Sequence, residues 1–287
     1  MLFRSDYGIG VYNFYDETLY RYYEASDYHY LRLRERELGM LLIYRYPFSR
    51  FWRMEFDSQL YYVNQKWDYL PPENVENENW IMNVEEDTDT VIAPGIAFVH
   101  DNALYGSTGP MIGWRLYYLM RKSFAKNEFN YYTNYLDLRS YNYFEKRYSL
   151  ACRLCAGIST GESPQLFNLD GLYGVRALNE DIDGEKMVLG SAELRFPFFD
   201  YINLAFPVPL ELRNIRGSVF ADIGTAWDKN SEFRGVIDGK LNDIKFGYGF
   251  GPRINLGYFV LKLDIAWLTD LSRISKPMYY LSLTEDF

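Results

Sequence analysis

The chain has 287 residues, 48% of them hydrophobic and 19% aromatic, with a formal net charge of −9. That acidic balance, with an isoelectric point near 4.9, argues against a nucleic-acid partner, whose phosphates call for a basic surface. No run of about 18 or more apolar residues occurs, which excludes a transmembrane helix but not a transmembrane β-barrel, whose strands interleave lipid-facing and water-facing residues. The mean hydropathy of −0.30 fits that interleaving. The 28 tyrosines point the same way, because a phenol has an apolar body and a wet tip and suits a membrane interface.

Alternation of apolar and polar residues, the mark of a strand with two unlike faces, recurs along the chain. The first run is about Asp6–Tyr15, followed by a polar segment to about His29. The second, Leu31–Tyr46, carries Leu38, Met40, Leu42 and Tyr44 on one face and ends in the turn Tyr46-Pro47-Phe48-Ser49. The third, Arg50–Tyr62, sets Trp52, Met54, Phe56, Leu60 and Tyr62 against Arg53, Glu55, Asp57 and Gln59. Asn64–Thr90 is acidic and reads as a solvated external loop, with cation capture as the sharper alternative.

Further runs follow at Val91–Val99, Met111–Lys122, Phe129–Tyr141 and Arg147–Ile158. Cys152 and Cys155 lie three apart in the last of these and point to opposite faces. No disulfide between them is expected, and no metal partners stand at usable spacing.

The stretch Gly171–Phe198 begins as a polar segment with one arginine, Arg176, and continues as a strand. Val188, Gly190, Ala192, Leu194 and Phe196 share one parity; Ser191, Glu193 and Arg195 share the other. Arg216–Trp227 repeats the pattern, with Asp222 on the polar face. Lys245–Leu256 alternates most cleanly: Phe246, Tyr248, Phe250, Ile254 and Leu256 outward, and Gly247, Gly249, Gly251, Arg253 and Asn255 inward. Glycines repeated on an inner face leave room for something bulky against the wall. Tyr258–Leu268 and Pro277–Phe287 complete about twelve runs, the last with Tyr279, Leu281, Leu283 and Phe287 on one parity. Long connections are expected after the first, third, seventh, ninth and eleventh runs and short ones after the second and tenth. That asymmetry is the mark of an outer-membrane barrel with short periplasmic turns. The fold class is therefore all-β, an antiparallel transmembrane β-barrel forming one domain over residues 1–287.

Two catalytic or metal patterns are weak. Gly157-Ile158-Ser159-Thr160-Gly161 fits the nucleophile pattern of serine hydrolases, but no helix follows, and His29 and His100 both precede the serine. Asn179-x-Asp181-x-Asp183-Gly184 begins like a calcium loop, but Gly190 stands where a bidentate glutamate is required. No enzymatic activity, cofactor or metal is expected.

From spacing alone two readings of Arg176 stand. It enters the lumen and binds Glu193 and Asp222, or it stays in an outside loop while the acids pair with Arg195 and Arg253.

The carboxy-terminal two thirds resembles the barrel of the BamA/TamA superfamily of outer-membrane assembly and secretion factors, also called the bacterial surface antigen domain. Four motifs carry the likeness. Val175-Arg176-Ala177-Leu178 matches the family's Val-Arg-Gly-aromatic loop motif, with Ala177 and Leu178 departing from it. Asp170-Gly171 replaces a usual Gly-Gly. Glu193-Leu194-Arg195-Phe196-Pro197 is unchanged from the family strand; Phe220, Asp222 and Gly224 match Phe-x-Asp-x-Gly; and Gly247, Gly249, Gly251 and Arg253, spaced Gly-x-Gly-x-Gly-x-Arg, resemble the family's strand of glycines followed by an arginine. Upstream, Tyr46–Phe51, His100-Asp101-Asn102 and Thr108-Gly109-Pro110 resemble a branch whose barrel follows a periplasmic β-propeller.

The resemblance implies a loop folded into the lumen and latched by Arg176 on Glu193 and Asp222, with Gly247, Gly249, Gly251 and Arg253 as the supporting wall. It also implies Tyr279, Leu281, Leu283 and Phe287 as the terminal-strand signal, sixteen strands in the whole barrel, and four of them before Met1. The amino terminus, MLFRSDYGIG, has no signal-peptide pattern, so the chain is expected to be the downstream part of a longer protein. The implied partners are outer-membrane lipid and client outer-membrane or secreted proteins, and the implied role is their insertion or translocation. A passive pore or ligand conduit, or an anchor for a domain outside this chain, is the alternative.

Overall fold

The computed structural model describes residues 5–24, 27–70, 82–106, 108–127, 129–145, 147–172, 174–205, 210–229, 231–256 and 259–284. In chain order the strands are β1 (Asp6–Glu24), β2 (Asp27–Pro47), β3 (Trp52–Leu70), β4 (Met82–Asp101), β5 (Leu104–Gly106), β6 (Gly109–Lys122), β7 (Tyr131–Phe144) and β8 (Tyr148–Gly161). They continue as β9 (Phe167–Leu169), β10 (Ile182–Gly184), β11 (Lys186–Leu204), β12 (Leu210–Trp227), β13 (Val236–Ile237), β14 (Lys240–Leu241), β15 (Lys245–Asn255), β16 (Val260–Thr269) and β17 (Met278–Thr284). One path of neighbours runs β1-β2-β3-β4-β6-β7-β8-β11-β12-β15-β16-β17, while β5 pairs with β6, and β9 with β10 and β13 with β14 form small loop sheets. Neighbours along the path are antiparallel. Such ladders satisfy the backbone without water, as a sheet in lipid must. Among the described residues no pairing joins β1 to β17.

The alternation becomes two walls. Val11, Leu42, Phe56, Ile96, Leu154, Val188, Ile223 and Phe250 are exposed on the outer face. An exposed apolar surface of this extent calls for lipid. Val63, Ala97, Tyr131, Ala151, Glu193, Asp222 and Arg253 are buried on the inner face. That face is not uniformly polar, because Tyr61, Val63, Val91, Ala93, Phe129 and Tyr131 form an apolar cluster on it. Cys152 and Cys155 are both free thiols, and only Cys155 is fully buried.

Two expectations about connections are corrected. The polar segment after Tyr15 is not a long loop: β1 runs on to Glu24, and the ladder with β2 continues to Glu24 opposite Asp27. The acidic stretch after Asn64 is also largely strand, with β3 reaching Leu70 and β4 starting at Met82. Opposite charges across the ladder make this tenable. The Arg34 guanidinium lies 2.6 Å from the Asp68 carboxylate and the Lys66 ammonium 3.0 Å from Glu86. About nine to eleven tilted residues cross the hydrocarbon, so strands of 19 to 21 residues continue well beyond it.

At the opposite end the turns are tight. Phe48 and Ser49 donate their N–H groups to the Trp52 carbonyl, and the Asn102 side chain accepts from Trp114 N–H at 2.7 Å. His100 is buried there, stacked on Trp114 with ring centroids 3.8 Å apart and beside Trp52 at 4.4 Å.

Candidate functional site

The connection between β8 and β11, residues 162–185, lies against the inner wall. Its apolar residues Leu169, Val175 and Leu178 pack into one cluster with Cys155, Met187, Leu189 and Ala226. The Phe167 ring stacks on Tyr135 at 6.1 Å, over the space a side chain at Gly157 would take. The Asp170 carboxylate accepts from Leu172 N–H at 2.9 Å and Gly174 N–H at 3.0 Å. This aspartate therefore orders the chain at the position where a Gly-Gly is usual.

The apex is a four-residue turn. Leu178 N–H donates to the Val175 carbonyl at 3.1 Å, and Ala177 has φ 74°. A positive φ at the third residue is what a type II turn demands, and glycine is favoured there. The alanine thus occupies a position whose geometry explains the family's glycine. Its two neighbouring amide groups also have partners: Arg176 N–H donates to Asp222 at 3.3 Å and Ala177 N–H to the Tyr280 hydroxyl at 3.0 Å.

From this turn the Arg176 side chain reaches two strands. Its Nε and Nη2 donate to the two oxygens of Asp222 on β12 at 2.7 and 2.9 Å, a planar fork on a planar acceptor. Nη1 donates to Glu193 on β11 at 3.0 Å and lies 3.6 Å from Asp264 on β16. The guanidinium carbon sits 3.3 Å from the centroid of the Phe220 ring, a cation–π contact.

Glu193 is the hub. It accepts from Arg195 at 2.8 Å and from the two nitrogens of Arg253 at 3.3 and 2.9 Å. Arg253 also donates to Asp264 at 2.5 and 3.2 Å, and Arg195 donates to the Pro110 carbonyl on β6 at 3.2 Å. Three guanidiniums and three carboxylates form one neutral network, each more than nine-tenths buried. Of the two readings that spacing left open, the geometry has Arg176 on both acids, while Arg195 and Arg253 share Glu193 with it. Charge-assisted contacts contribute on the order of 1.5–3 kcal/mol each, and burial limits the screening a watery lumen would impose.

Of the three glycines, Gly247 makes room for the loop and the other two for neighbouring strands. A side chain at Gly247 would run into the Arg176 carbonyl, and one at Gly249 into the Phe220 ring and the Ile265 carbonyl. At Gly251 it would meet the Leu263 carbonyl and Asp264. Arg253 is inside the charge network. Tyr279, Leu281 and Leu283 point outward and are exposed, away from this site; Phe287 lies outside the described residues.

Phe220, Asp264 and Tyr280 were not singled out from sequence as loop partners. Phe220 stood in a matched motif, and Asp264 is a lone acid in the alternating run Tyr258–Leu268. Tyr280 gave no signal beyond its parity.

The weak patterns are accounted for locally. The Ser159 hydroxyl is buried 2.8 Å from that of Thr133 and accepts from Gln165 N–H at 2.9 Å. His100 lies in its tryptophan stack near the turns at the other end of the sheet. Asp183 accepts from Asn168 across the β9–β10 hairpin at 2.8 Å.

The Omp85 superfamily domain matches residues 3–273. No curated protein matches the chain. Among solved structures, BamA from Haemophilus ducreyi lacking POTRA domains 1–3 is similar with a TM-score of 0.59 and 14% identity, over 97% of this chain and 63% of that one. CdiB from Acinetobacter baumannii is similar with a TM-score of 0.55 and 13% identity, over 96% of this chain and 46% of that one. This chain therefore spans less than two thirds of either, and at such identities the likeness concerns the barrel fold. The family is carried by the match over nearly the whole length: the chain belongs to the Omp85 superfamily.

Proposed function

We propose that this chain is a non-enzymatic barrel of the bacterial outer membrane that assists insertion or translocation of client outer-membrane or secreted proteins. The observation that carries the reading is the loop clamped inside the wall by Arg176 on Glu193 and Asp222, in a chain that the family domain matches over residues 3–273. The latch fixes the loop while a strand edge, where the seam of the barrel opens, offers backbone donors and acceptors. A client strand adds there by β-augmentation, hydrogen bonding along the edge as any neighbouring strand would. Family membership supports this reading over an inert pore.

Two measurements test it. A photo-cross-linker at Leu281 or Leu283 is expected to capture nascent barrel proteins in cells. Steady, large conductance in planar bilayers with no such adducts favours a passive pore instead. Arg176→Ala is expected to expose residues 162–185 to protease and to lower the temperature of the folded-to-unfolded band shift on gels. If both stay as in the natural protein, the latch has no role.

A further inference from the structure

The outer wall between β6 and β12 carries an apolar groove of about 340 Å³, within the roughly 300–1,000 Å³ of small-ligand clefts. Two adjacent cross-strand ladders build it. Tyr118, Leu136, Ala156 and Val188 stand side by side in one, and Asn134, Ile158, Lys186 and Trp227 in the next, nearer the outside loops. Ala156 makes the floor low, beside Gly157, while Tyr118 and Trp227 stand at the two sides.

The one cation at this groove is Lys186, at its upper lip. Among the described residues no carboxylate lies within ion-pair distance of it. Its neighbours in sequence and across the ladder, Glu185 and Asp228, fall on the opposite parity and hold backbone groups: Glu185 accepts from Lys229 N–H at 3.0 Å and Asp228 from Glu185 N–H at 3.3 Å. Asn134 is already engaged by the hydroxyls of Tyr118 and Tyr132. One ladder further out the same face turns polar, through Lys122, Tyr132 and Thr160. Lys186 thus stands where hydrocarbon gives way to headgroups.

We propose that this groove is a binding site for a membrane lipid of net negative charge, one acyl chain lying over Ala156 and the headgroup phosphate on the Lys186 ammonium. At this depth the material available to fill an apolar slot is acyl chain. An unpaired lysine at the boundary favours an anionic headgroup over a zwitterionic one, whose own cation offsets its phosphate. The site rests on the barrel fold alone and stands whether or not the chain handles client proteins.

The test uses the full chain in nanodiscs of equal phosphatidylglycerol and phosphatidylcholine, with lipids retained after release counted by native mass spectrometry. The natural protein is expected to retain phosphatidylglycerol about fivefold over phosphatidylcholine, the effect of one basic side chain at an anionic surface. Lys186→Gln should bring the ratio close to one and Lys186→Arg should restore it. Ala156→Leu, which raises the floor, should lower retention of both lipids. Equal retention of the two lipids by the natural protein, or an unchanged ratio in Lys186→Gln, overturns the proposal. Should Ala156→Leu fail to fold, the lysine pair decides alone.

Discussion

The four long strands β1 to β4 and the loop-bearing wall from β8 to β17 both hold charges against charges, under opposite conditions. On the ribbon, Arg32 and Arg34 converge on Asp68, and Lys66 on Glu86, with the basic partners part-exposed above the apolar band. In the wall, Glu193 gathers Arg176, Arg195 and Arg253 out of contact with water. Where both partners keep contact with water, as in Lys66–Glu86, the pair lets strands continue into solvent at little gain; Asp68 is itself buried, and it is its two arginines that stay part-exposed. The buried set is different in kind: taking one member away strands charged partners where nothing else can solvate them. The same residue types therefore extend a sheet in one region and pin a loop in the other.

The sharpest way to break that contrast is at the hub. Glu193→Ala removes the carboxylate that three buried guanidiniums share, and a loss of about 3–5 kcal/mol is expected. Urea unfolding in micelles, followed by the gel band shift, reads it. Glu193→Gln, which keeps the shape but not the charge, should fall between. A loss below 1 kcal/mol for the alanine variant would mean that water already reaches the network.

Next in size is the wall behind the turn. Gly247→Val drives a side chain into the Arg176 carbonyl, and the overpacking should cost about 1–3 kcal/mol. Cleavage within residues 162–185 should rise with it. The control is Gly190→Ala on the outer face, where the nearest atom to an added carbon is Ile223 Cγ2 at 3.5 Å. If the two variants behave alike, the loop does not depend on the glycine wall.

Smaller still is the ribbon. Glu86→Gln removes the acid held by Lys66, with side chains 40% and 32% exposed, and little or no change in stability is expected. Salt separates the two regions: at 1 M, where screening acts within about 3 Å, any Glu86→Gln difference should vanish and the Glu193→Ala difference should persist. A salt-insensitive ribbon would erase the distinction.

This division also explains what was readable from sequence. Parity placed Glu193, Asp222 and the glycines of β15 on the inner wall, because alternation encodes facing directly. The extended ends of β1 to β4 were misread as loops: there charges alternate with charges, and the order becomes visible only when Arg34 is set across from Lys66 and beside Asp68. Phe220 and Tyr280 join the site through the path of the loop as it folds back, and no local pattern encodes that path. The departures at Asp170 and Ala177 were legible as departures, while their physical meaning required the turn geometry.

Ala177 gives the finest test of that meaning. An L-residue at φ 74° carries about 1–2 kcal/mol of steric cost that glycine does not. Against this, the methyl is fully buried beside Phe220 and Ala266, and removing it gives up about 0.8 kcal/mol. Glycine also adds about 0.4–1 kcal/mol of freedom to the unfolded chain. These offset, so Ala177→Gly should unfold within about 0.5 kcal/mol of the natural protein, and the loop should stay protected from protease. Ala177→Val should do neither, since a branched side chain tolerates a positive φ poorly and the site has no spare room. A gain above 1 kcal/mol in the glycine variant would mean that backbone strain dominates at the apex. A loss of that size would mean that the buried methyl, filling space a glycine leaves open, is what lets this chain keep its turn without the family's residue.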